Sequence, residues 1–363
     1  MTRVLIIGGG ISGLSAAAAL APQMDVTVLE QEEALGYHAS GRSAAMFFAG
    51  YGNASVRALN AQAAAVHRDL GVLSPRGVMV VATAETEALF DADMDGTAQH
   101  LTVGEACDRV PILNPRTVTK AAFIEDAQDI DTDALLQHYA RQARADGAHV
   151  ETGATVASID PTTSGWSVQA ATGDYKADLL VNAAGAWADS VAKLAGVAPL
   201  GLVPYRRSMA RMPAPGGHDL RNWPMLLGAG ERWYAKPDAG AWLVSPADED
   251  ATEPHDAYAN DIVLAEGLER YQAHVTEPVT RITSNWAGLR TFAPDRTPVI
   301  GPDPRTPSFF WLAGQGGYGF QIAPAVAALA SALIRGETPA LDPAYIAALR
   351  PSRPGLRQTN SGR

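Results

Sequence analysis

Apolar residues recur along this chain in two different periods, and the period changes with position. Residues 4–7 and 26–29 are short unbroken apolar runs, which is typical of strands buried on both faces, and the Ala-rich residues 14–20 between them favour a helix. The order strand, helix, strand predicts the first unit of a doubly wound, Rossmann-type α/β sheet.

The same alternation returns in the middle of the chain and near its end. Residues 135–145 have the spacing of an amphipathic helix, and Asp131 or Thr132 can cap it. Further strands are expected over 149–151, 166–171, 175–177, 179–181 and 309–313, and a further helix over 323–335.

Two other stretches, 51–129 and 201–285, are richer in Pro, Trp and Tyr and contain short alternating strands such as 78–82 and 241–245. Such alternation predicts a mostly antiparallel sheet with faces of different polarity. We therefore expect two interleaved domains and a disordered tail. The Rossmann-type domain, which the motifs below predict to bind the cofactor, would comprise 1–50, 130–200 and 286–350, the α+β second domain, which would bind the substrate, 51–129 and 201–285, and the tail 351–363.

Three glycines stand between the first predicted strand and helix, in the pattern GxGxxG. Gly8 permits a tight turn, Gly10 lets a pyrophosphate approach the backbone, and Gly13 lets the helix pack closely on the strand. Glu30 follows the second strand, seventeen residues after Gly13, where its carboxylate can accept hydrogen bonds from both ribose hydroxyls. The unpaired N–H groups at the start of the helix favour phosphate. The pattern predicts an adenine dinucleotide site.

A second glycine cluster, GQGGYGF from Gly314 to Phe320, precedes the last long helix. No strand ending in an acid follows it, so it does not predict a second complete dinucleotide site. If the dinucleotide is FAD, this helix start suits the pyrimidine edge of the flavin, where the helix dipole stabilises negative charge. The absence of a separate nicotinamide site indicates that electrons come from an organic substrate.

Composition excludes several classes of function. The net charge of −11 argues against a nucleic-acid partner. The single cysteine, Cys107, excludes an internal disulfide and a CxxC pair and favours a reducing compartment, so we expect a cytoplasmic protein. The longest apolar stretch, 322–334, is too short to span a bilayer, and the scattered histidines predict no metal site.

Several segments together resemble a known family. GGGISGLSAA with Glu30, GYHASGRSAAM, VNAAGAW, WAGLR and GGYGFQ are similar to segments of the D-amino-acid oxidase superfamily of flavoproteins, and most of all to bacterial D-arginine dehydrogenases. The resemblance covers residues 4 to about 335. It implies noncovalently bound FAD and oxidation of an amino-acid substrate, with a quinone or O₂ as the electron acceptor.

The resemblance also implies roles for individual residues. Arg290 and Arg207 would hold the substrate carboxylate, with Arg206 as an alternative to Arg207, and Tyr51 and Tyr234 would close over the substrate. Other pocket residues would be Met46, Val78, Gly317, Tyr318 and Gln321. The FAD-binding residues would be Gly8, Gly10, Ile11, Ser12, Gly13, Glu30, Gln31, Arg42, Ser43, Ala44, Ala45, Val156, Ala184, Gly185, Trp187, Gly316, Gly317, Tyr318, Gly319, Phe320 and Gln321.

Two departures from the resemblance change the expected substrate. Val78 stands where the D-arginine enzymes have an acid, and Met46 where they have a histidine. Because an unpaired cation is costly to bury, we expect neutral, apolar D-amino acids rather than D-arginine or D-lysine. Hydride transfer from the α-carbon to flavin N5, followed by hydrolysis, would yield a 2-oxo acid and ammonia.

Other functions remain open. The nearest is oxidation of glycine or N-methyl amino acids, and D-arginine or D-lysine stays possible despite the missing acid. An FAD-dependent monooxygenase would require reduction by NAD(P)H, for which the sequence offers no separate site. A flavin-holding protein without enzymatic activity would bind FAD that no amine reduces.

Overall fold

A computed structural model describes residues 1–94 and 98–356. The helices are α1 Ile11–Leu20, α2 Ala54–Asp69, α3 Glu87–Asp93, α4 Val103–Arg109, α5 Thr132–Ala145, α6 Ala188–Leu194, α7 Asp261–Gln272, α8 Gly319–Arg335 and α9 Pro343–Leu349, with 3-10 turns at Gly185–Trp187, Pro215–Gly217 and Ala229–Glu231.

The strands are β1 Arg3–Ile7, β2 Asp25–Leu29, β3 Met46–Phe47, β4 Leu73–Pro75, β5 Val78–Thr83, β6 Gln99–Leu101, β7 Val118–Ile124, β8 Gln128–Ile130, β9 His149–Glu151, β10 Val156–Thr162, β11 Gly165–Ala170, β12 Gly173–Ala177, β13 Leu179–Asn182, β14 Val203–Pro213, β15 Met225–Gly228, β16 Tyr234–Asp238, β17 Ala241–Ser245, β18 Asp250–Ala251, β19 Ser284–Phe292, β20 Val299–Pro302 and β21 Phe309–Ala313.

The first sheet has the strand order β20-β21-β13-β1-β2-β9. Its neighbours pair in parallel, except the edge pair β20–β21, which is antiparallel. Helices α1, α5 and α8 share one apolar core with residues of this sheet, and α6 shares the core of the other face with the small sheet β10-β11-β12. Because both faces of this sheet are packed against other elements, residues 4–7 of β1 and all of β21 are unbroken apolar runs.

Helix α5 begins where the sequence predicts. Asp131 is its N-cap, and its carboxylate accepts a hydrogen bond of 2.9 Å from the backbone N–H of Ala134. Helix α8 begins four residues before the expected start, at Gly319, and contains Pro324. It ends at Arg335 and is capped by Gly336, whose left-handed φ of 70° suits glycine.

The second large sheet has the order β18-β14-β17-β16-β15-β5-β7-β6, and β19 pairs with the other edge of β14. Its pairs are antiparallel apart from β5–β15. Trp233, Trp242 and Tyr271 are fully buried beneath it. A mixed α/β fold with one mainly parallel and one mainly antiparallel sheet is confirmed.

Two borders of the expected domains differ from the observed pairing. Residues 286–292, assigned from the sequence to the FAD-binding domain, belong to β19 and pair with β14 of the antiparallel sheet. Helix α2, assigned to the substrate-binding domain, packs against α8 and shares its core. Strand pairing and helix burial depend on partners distant in the sequence, so the domain division itself stays a proposal.

The start of the predicted disordered tail is packed against the protein. The Arg353 side chain is 6% exposed and donates hydrogen bonds of 2.7 and 2.9 Å to the carboxylate of Asp295. The expectation of disorder is therefore wrong for 351–356, because the buried Arg353 side chain ties this segment to Asp295. Residues 357–363 lie outside the described residues.

Candidate active site

A cavity of about 570 Å³ opens between the two large sheets. Ile7, Leu29, Ala183 and Ala313 line it, so it lies at the carboxyl ends of β1, β2, β13 and β21. Ligands of open parallel sheets bind at this edge. Of the site residues predicted from the sequence, all line the cavity except Gly13 and Tyr318.

The two outer glycines of the first motif keep α1 close to the sheet. A Cβ on Gly13 would lie 1.9 Å from the carbonyl oxygen of Gly8, and a Cβ on Gly8 would lie 2.4 Å from that of Ala183. Gly8 also has a φ of 110°, which L-residues rarely adopt. Gly13 therefore serves helix packing and does not reach the cavity, which corrects its placement among the cofactor-lining residues.

Glu30 is buried at the end of β2, with 7% exposure. Its carboxylate accepts hydrogen bonds from the backbone N–H of Gly9 at 2.8 Å and of Glu32 at 3.0 Å. These two bonds fix the carboxylate where it lines the cavity and leave lone pairs for ribose hydroxyls.

The residues around the start of α1 fit the phosphates of FAD. The hydroxyl of Ser12 donates to Oε1 of Gln315 at 2.5 Å. Nε2 of Gln315 is buried, and among the described residues it has no acceptor. A buried donor without a partner is costly unless a ligand completes it. The Nε2 donor of Gln315 and the N–H groups at the start of α1 together suit an anionic phosphate oxygen.

Arg42 lines the cavity, but its guanidinium is already engaged. It donates to the carbonyl oxygens of Ala257 at 2.8 Å and Ala287 at 3.0 Å and pairs with Asp256. Arg42 thus ties the turn after β2 to β19 and to the segment before α7. The following Ser43, Ala44 and Ala45 also line the cavity.

The register of β14 and β19 decides between the two neighbouring arginines. Tyr205 is opposite Arg290 and Arg207 is opposite Gly288, so Arg207 and Arg290 are diagonal neighbours. Both line the cavity. Arg206 alternates to the other face of the strand and pairs with Asp248 at 3.3 Å and Asp250 at 2.5 Å.

The two cavity arginines leave positive charge without full compensation. The Arg207 side chain is 10% exposed, and its Nε is buried without an acceptor among the described residues. Burial lowers the pKa of Arg207, and the nearby charge of Arg290 lowers it further. A carboxylate would supply both the missing acceptor and the missing charge.

The predicted tyrosines flank these arginines. Burial raises the pKa of Tyr51 to about 12, with the charge of Glu231 adding to the effect and the charges of Arg290 and Arg207 opposing it. Tyr234 lies on β16, with its ring 5.9 Å from the guanidinium carbon of Arg207. Tyr318 does not line the cavity and packs 5.4 Å from Tyr51, ring centre to ring centre, so it supports the wall from behind.

One part of the cavity lining is an apolar wall, formed by one face of three neighbouring strands, β15, β5 and β7. Val78 pairs with Met225 and Ile124, and Val80 pairs with Leu227. All five side chains line the cavity, as does Met46. The apolar character inferred at Val78 thus extends across the sheet.

The flavin-edge glycines pack against β19. A Cβ on Gly316 would lie 2.0 Å from the ring of Phe292, and one on Gly317 would lie 3.3 Å from the guanidinium of Arg290. Gln321 is 4% exposed, and its Oε1 accepts a 2.8 Å bond from the backbone N–H of Phe48. This bond holds the segment after β3 against the cavity.

Several residues that line the cavity were not predicted from the sequence. Ser40 lies in the segment GYHASGRSAAM but was not predicted as a site residue, yet its Oγ accepts a 3.0 Å hydrogen bond from the backbone N–H of Ile11. Met225 and Leu227 were detectable as alternate positions of a short strand. The other missed residues include Gly36, Tyr37, His38, Ala39, Phe48, Asp93, Ala154, Thr155, Met209, Glu231, His255, Thr291 and Gln315.

Comparison with protein families gives one match over most of the chain. The model of the DAO family, described as FAD dependent oxidoreductase, matches residues 3–333. The chain belongs to this family. The DAO-family fold, FAD as cofactor and the oxidoreductase class are therefore established for this protein.

Similar proteins share its sequence at a low level. Human mitochondrial dimethylglycine dehydrogenase is 26% identical over 93% of the chain, and the chain spans 43% of that protein. Glycine oxidase of Geobacillus kaustophilus is 24% identical over 93% of the chain and 94% of that enzyme. The crystal structure of glycine oxidase from Geobacillus kaustophilus has a TM-score of 0.81 at 23% identity, covering 97% of this chain and 99% of that one, and shows a shared fold.

Neither 1–94 nor 98–356 contains a helix with the length and hydropathy needed to cross a bilayer.

Proposed function

We propose that this DAO-family protein oxidises the amine of a small amino acid, glycine or an N-methylated derivative. The observation that carries the proposal is the pair Arg290 and Arg207 in the same cavity as the dinucleotide motif. The pair suits an amino-acid carboxylate. The names of two relatives, glycine oxidase and dimethylglycine dehydrogenase, favour a small or N-methylated amino acid as substrate over the apolar D-amino acids expected from the sequence.

The residues of the chain would act mainly by positioning. Arg290 and Arg207 would fix the carboxylate, and thereby the carbon that loses hydride, while Tyr51 and Tyr234 would cover the substrate. FAD, when bound, accepts the hydride. Water then converts the iminium product to a carbonyl compound and an amine. Correct placement of reacting groups supplies a large part of such rate enhancements.

The apolar wall would exclude water from the reacting carbon. Val78, Leu227 and Met225 present no hydrogen-bonding groups to the cavity. Low polarity strengthens the attraction between the arginines and the carboxylate. It also favours the neutral form of the substrate amine, which is the form that can release hydride, so no dedicated base is required.

The same wall favours a second candidate, oxidation of D-amino acids with neutral, apolar side chains. Six apolar side chains line this part of the cavity, namely Met46, Val78, Val80, Ile124, Met225 and Leu227. A buried CH₂ group contributes about 0.8 kcal/mol, so a leucine-sized side chain would gain affinity here. D-arginine and D-lysine would find no acid among these six side chains, although Asp93 and Glu231 line other parts of the cavity.

An anaerobic screen of flavin bleaching tests both candidates. Glycine, sarcosine and dimethylglycine would be compared with D- and L-alanine, D-leucine, D-phenylalanine and D-arginine under identical conditions. We expect faster reduction by glycine or its N-methyl derivatives. Faster reduction by D-leucine would favour the second candidate, and bleaching by NADPH or by none of the amines would contradict both.

The electron acceptor is tested in the same cuvette. Reduced protein would be exposed first to air and, in a parallel sample, to a soluble quinone under argon. Fast recovery of the flavin band in air identifies an oxidase. Recovery only with the quinone identifies a dehydrogenase, which we propose from the resemblance to D-arginine dehydrogenases.

A further inference from the structure

Three consecutive acids, two at the end of the loop after β17 and one at the start of β18, contact two consecutive arginines of β14. Asp248 and Asp250 pair with Arg206, as described above, whereas Oε1 of Glu249 lies 3.5 Å from Nη2 of Arg207. Within the described residues, Glu249 is the carboxylate within 4 Å of Arg207. The acids and the arginines therefore alternate in the same order, with Asp248 and Asp250 beside Arg206 and Glu249 beside Arg207.

Glu249 lies behind the cavity wall and not in it. It is absent from the lining residues, and its side chain is 37% exposed. Arg207 contacts this carboxylate and also lines the cavity. One side of the guanidinium is thus anchored by the protein, and its other side is available to a substrate.

Glu249 is itself held in place by Arg296. Two nitrogens of the Arg296 guanidinium lie 2.7 and 3.2 Å from the two carboxylate oxygens. The same guanidinium lies 3.9 Å from the ring centre of Phe292, on the strand that carries Arg290. A bidentate pair supported by a ring fixes orientation better than a single exposed pair does.

The charges around Glu249 keep it ionised. Burial alone would raise its pKa, but the hydrogen bonds from Arg296 and the charges of Arg296, Arg207 and Arg290 outweigh burial and lower it. An anion at this position also offsets the repulsion between Arg207 and Arg290 when no substrate is bound.

We infer that Glu249 is a positioning residue for substrate binding, which holds the Arg207 guanidinium toward the cavity before the carboxylate arrives. The inference rests on the proposed function, because it requires that Arg207 receive a carboxylate. A guanidinium fixed in advance loses less side-chain entropy on binding, so the anchor increases affinity without touching the substrate.

Titration of the FAD-loaded protein with benzoate, followed by the flavin absorbance change, measures this effect without turnover. We expect E249A to raise the Kd by about fivefold, as fits a partly exposed ion pair, and E249Q to raise it by less, since its amide oxygen can still accept a hydrogen bond from Arg296 and stay near Arg207. D250A is the matched control from the same loop and should bind as the wild type does. In turnover, E249A should raise KM with kcat nearly unchanged.

The outcomes separate this inference from the proposed function. Benzoate binding by E249A as tight as, or tighter than, by the wild type would overturn the role of Glu249 and leave the proposed function standing. Wild-type protein that binds neither benzoate nor acetate would overturn both, because Arg207 would then hold no carboxylate. A KM effect that appears equally in D250A would also overturn the inference, by showing general disturbance of the loop.

Discussion

At the scale of single residues, strand alternation determines which arginine can serve the cavity. Arg206 and Arg207 are chemically identical neighbours, but their side chains leave β14 on opposite faces. Asp248 and Asp250 then hold the Arg206 side chain, and Glu249 holds the Arg207 side chain.

A conservative pair of variants tests this assignment. We expect R207K to lower kcat/KM by about 30-fold, mainly through KM, because a lysine ammonium cannot form the planar fork that grips a carboxylate. R206K should stay within about twofold of the wild type, since it keeps the charge beside Asp248 and Asp250. Steady-state kinetics with the preferred substrate measures both variants, and equal losses in the two would contradict the assignment.

Tyr51 gives a pH-dependent prediction at the same scale. Its pKa of about 12 in the folded protein exceeds the value of about 10 for a free tyrosine, so folding favours the neutral phenol. This contribution to stability is complete below about pH 10 and is lost as the pH rises toward about 12. Y51F should therefore lose less stability than the wild type between these pH values.

Urea unfolding at about pH 9 and about pH 11 measures this difference. Y345F serves as the control, because Tyr345 lies on the exterior helix α9 and is only partly buried. An equal alkaline loss of stability in Y51F and the wild type would show that Tyr51 does not titrate as described.

At the scale of elements, the glycines of the first motif separate into two roles. Gly13 and Gly8 are required for contact between α1 and the sheet, whereas Gly10 opens space at the start of the helix. The pattern GxGxxG therefore combines a packing requirement with a ligand requirement.

Alanine variants distinguish these roles. We expect G13A to lower the free energy of unfolding by at least about 2 kcal/mol, since its Cβ would meet a backbone oxygen that cannot move alone. G10A meets only the Ser40 hydroxyl, at 3.1 Å, and should keep the melting temperature of the FAD-free protein while weakening FAD binding by about tenfold. Thermal melts without FAD and FAD titrations measure these effects. The reverse order of effects would contradict the assignment.

At the scale of the whole molecule, the cavity is formed by both large sheets, and FAD should therefore stabilise the complete fold. A ligand present at 100 times its Kd adds about 2.7 kcal/mol to the free energy of unfolding. Removing FAD should lower the melting temperature by several degrees, and the temperature should rise with the logarithm of the added FAD. A melting temperature independent of FAD would show that the cofactor does not bind the native state.

Noncovalent attachment is a separate prediction for the whole molecule. Cys107 lies on α4 and does not line the cavity. This excludes a bond to the cysteine, and the family resemblance implies noncovalent FAD, so acid precipitation should leave the yellow colour in the supernatant. A yellow pellet would show a covalent bond to the protein.

The amino-acid sequence alone is enough to predict the dinucleotide motif, the helices and strands that carry it, and the family, because these depend on local spacing and on glycines at positions of close backbone contact. Nearly all of the site residues predicted from the resemblance line the cavity, but many other lining residues were not predicted. Only the tertiary structure shows that Arg207, and not Arg206, lines the cavity. It also shows that β19 pairs with the antiparallel sheet, that α2 packs with α8, and that Glu249 lies beside Arg207. These features depend on strand register and on contacts between residues far apart in the chain, which no local pattern encodes.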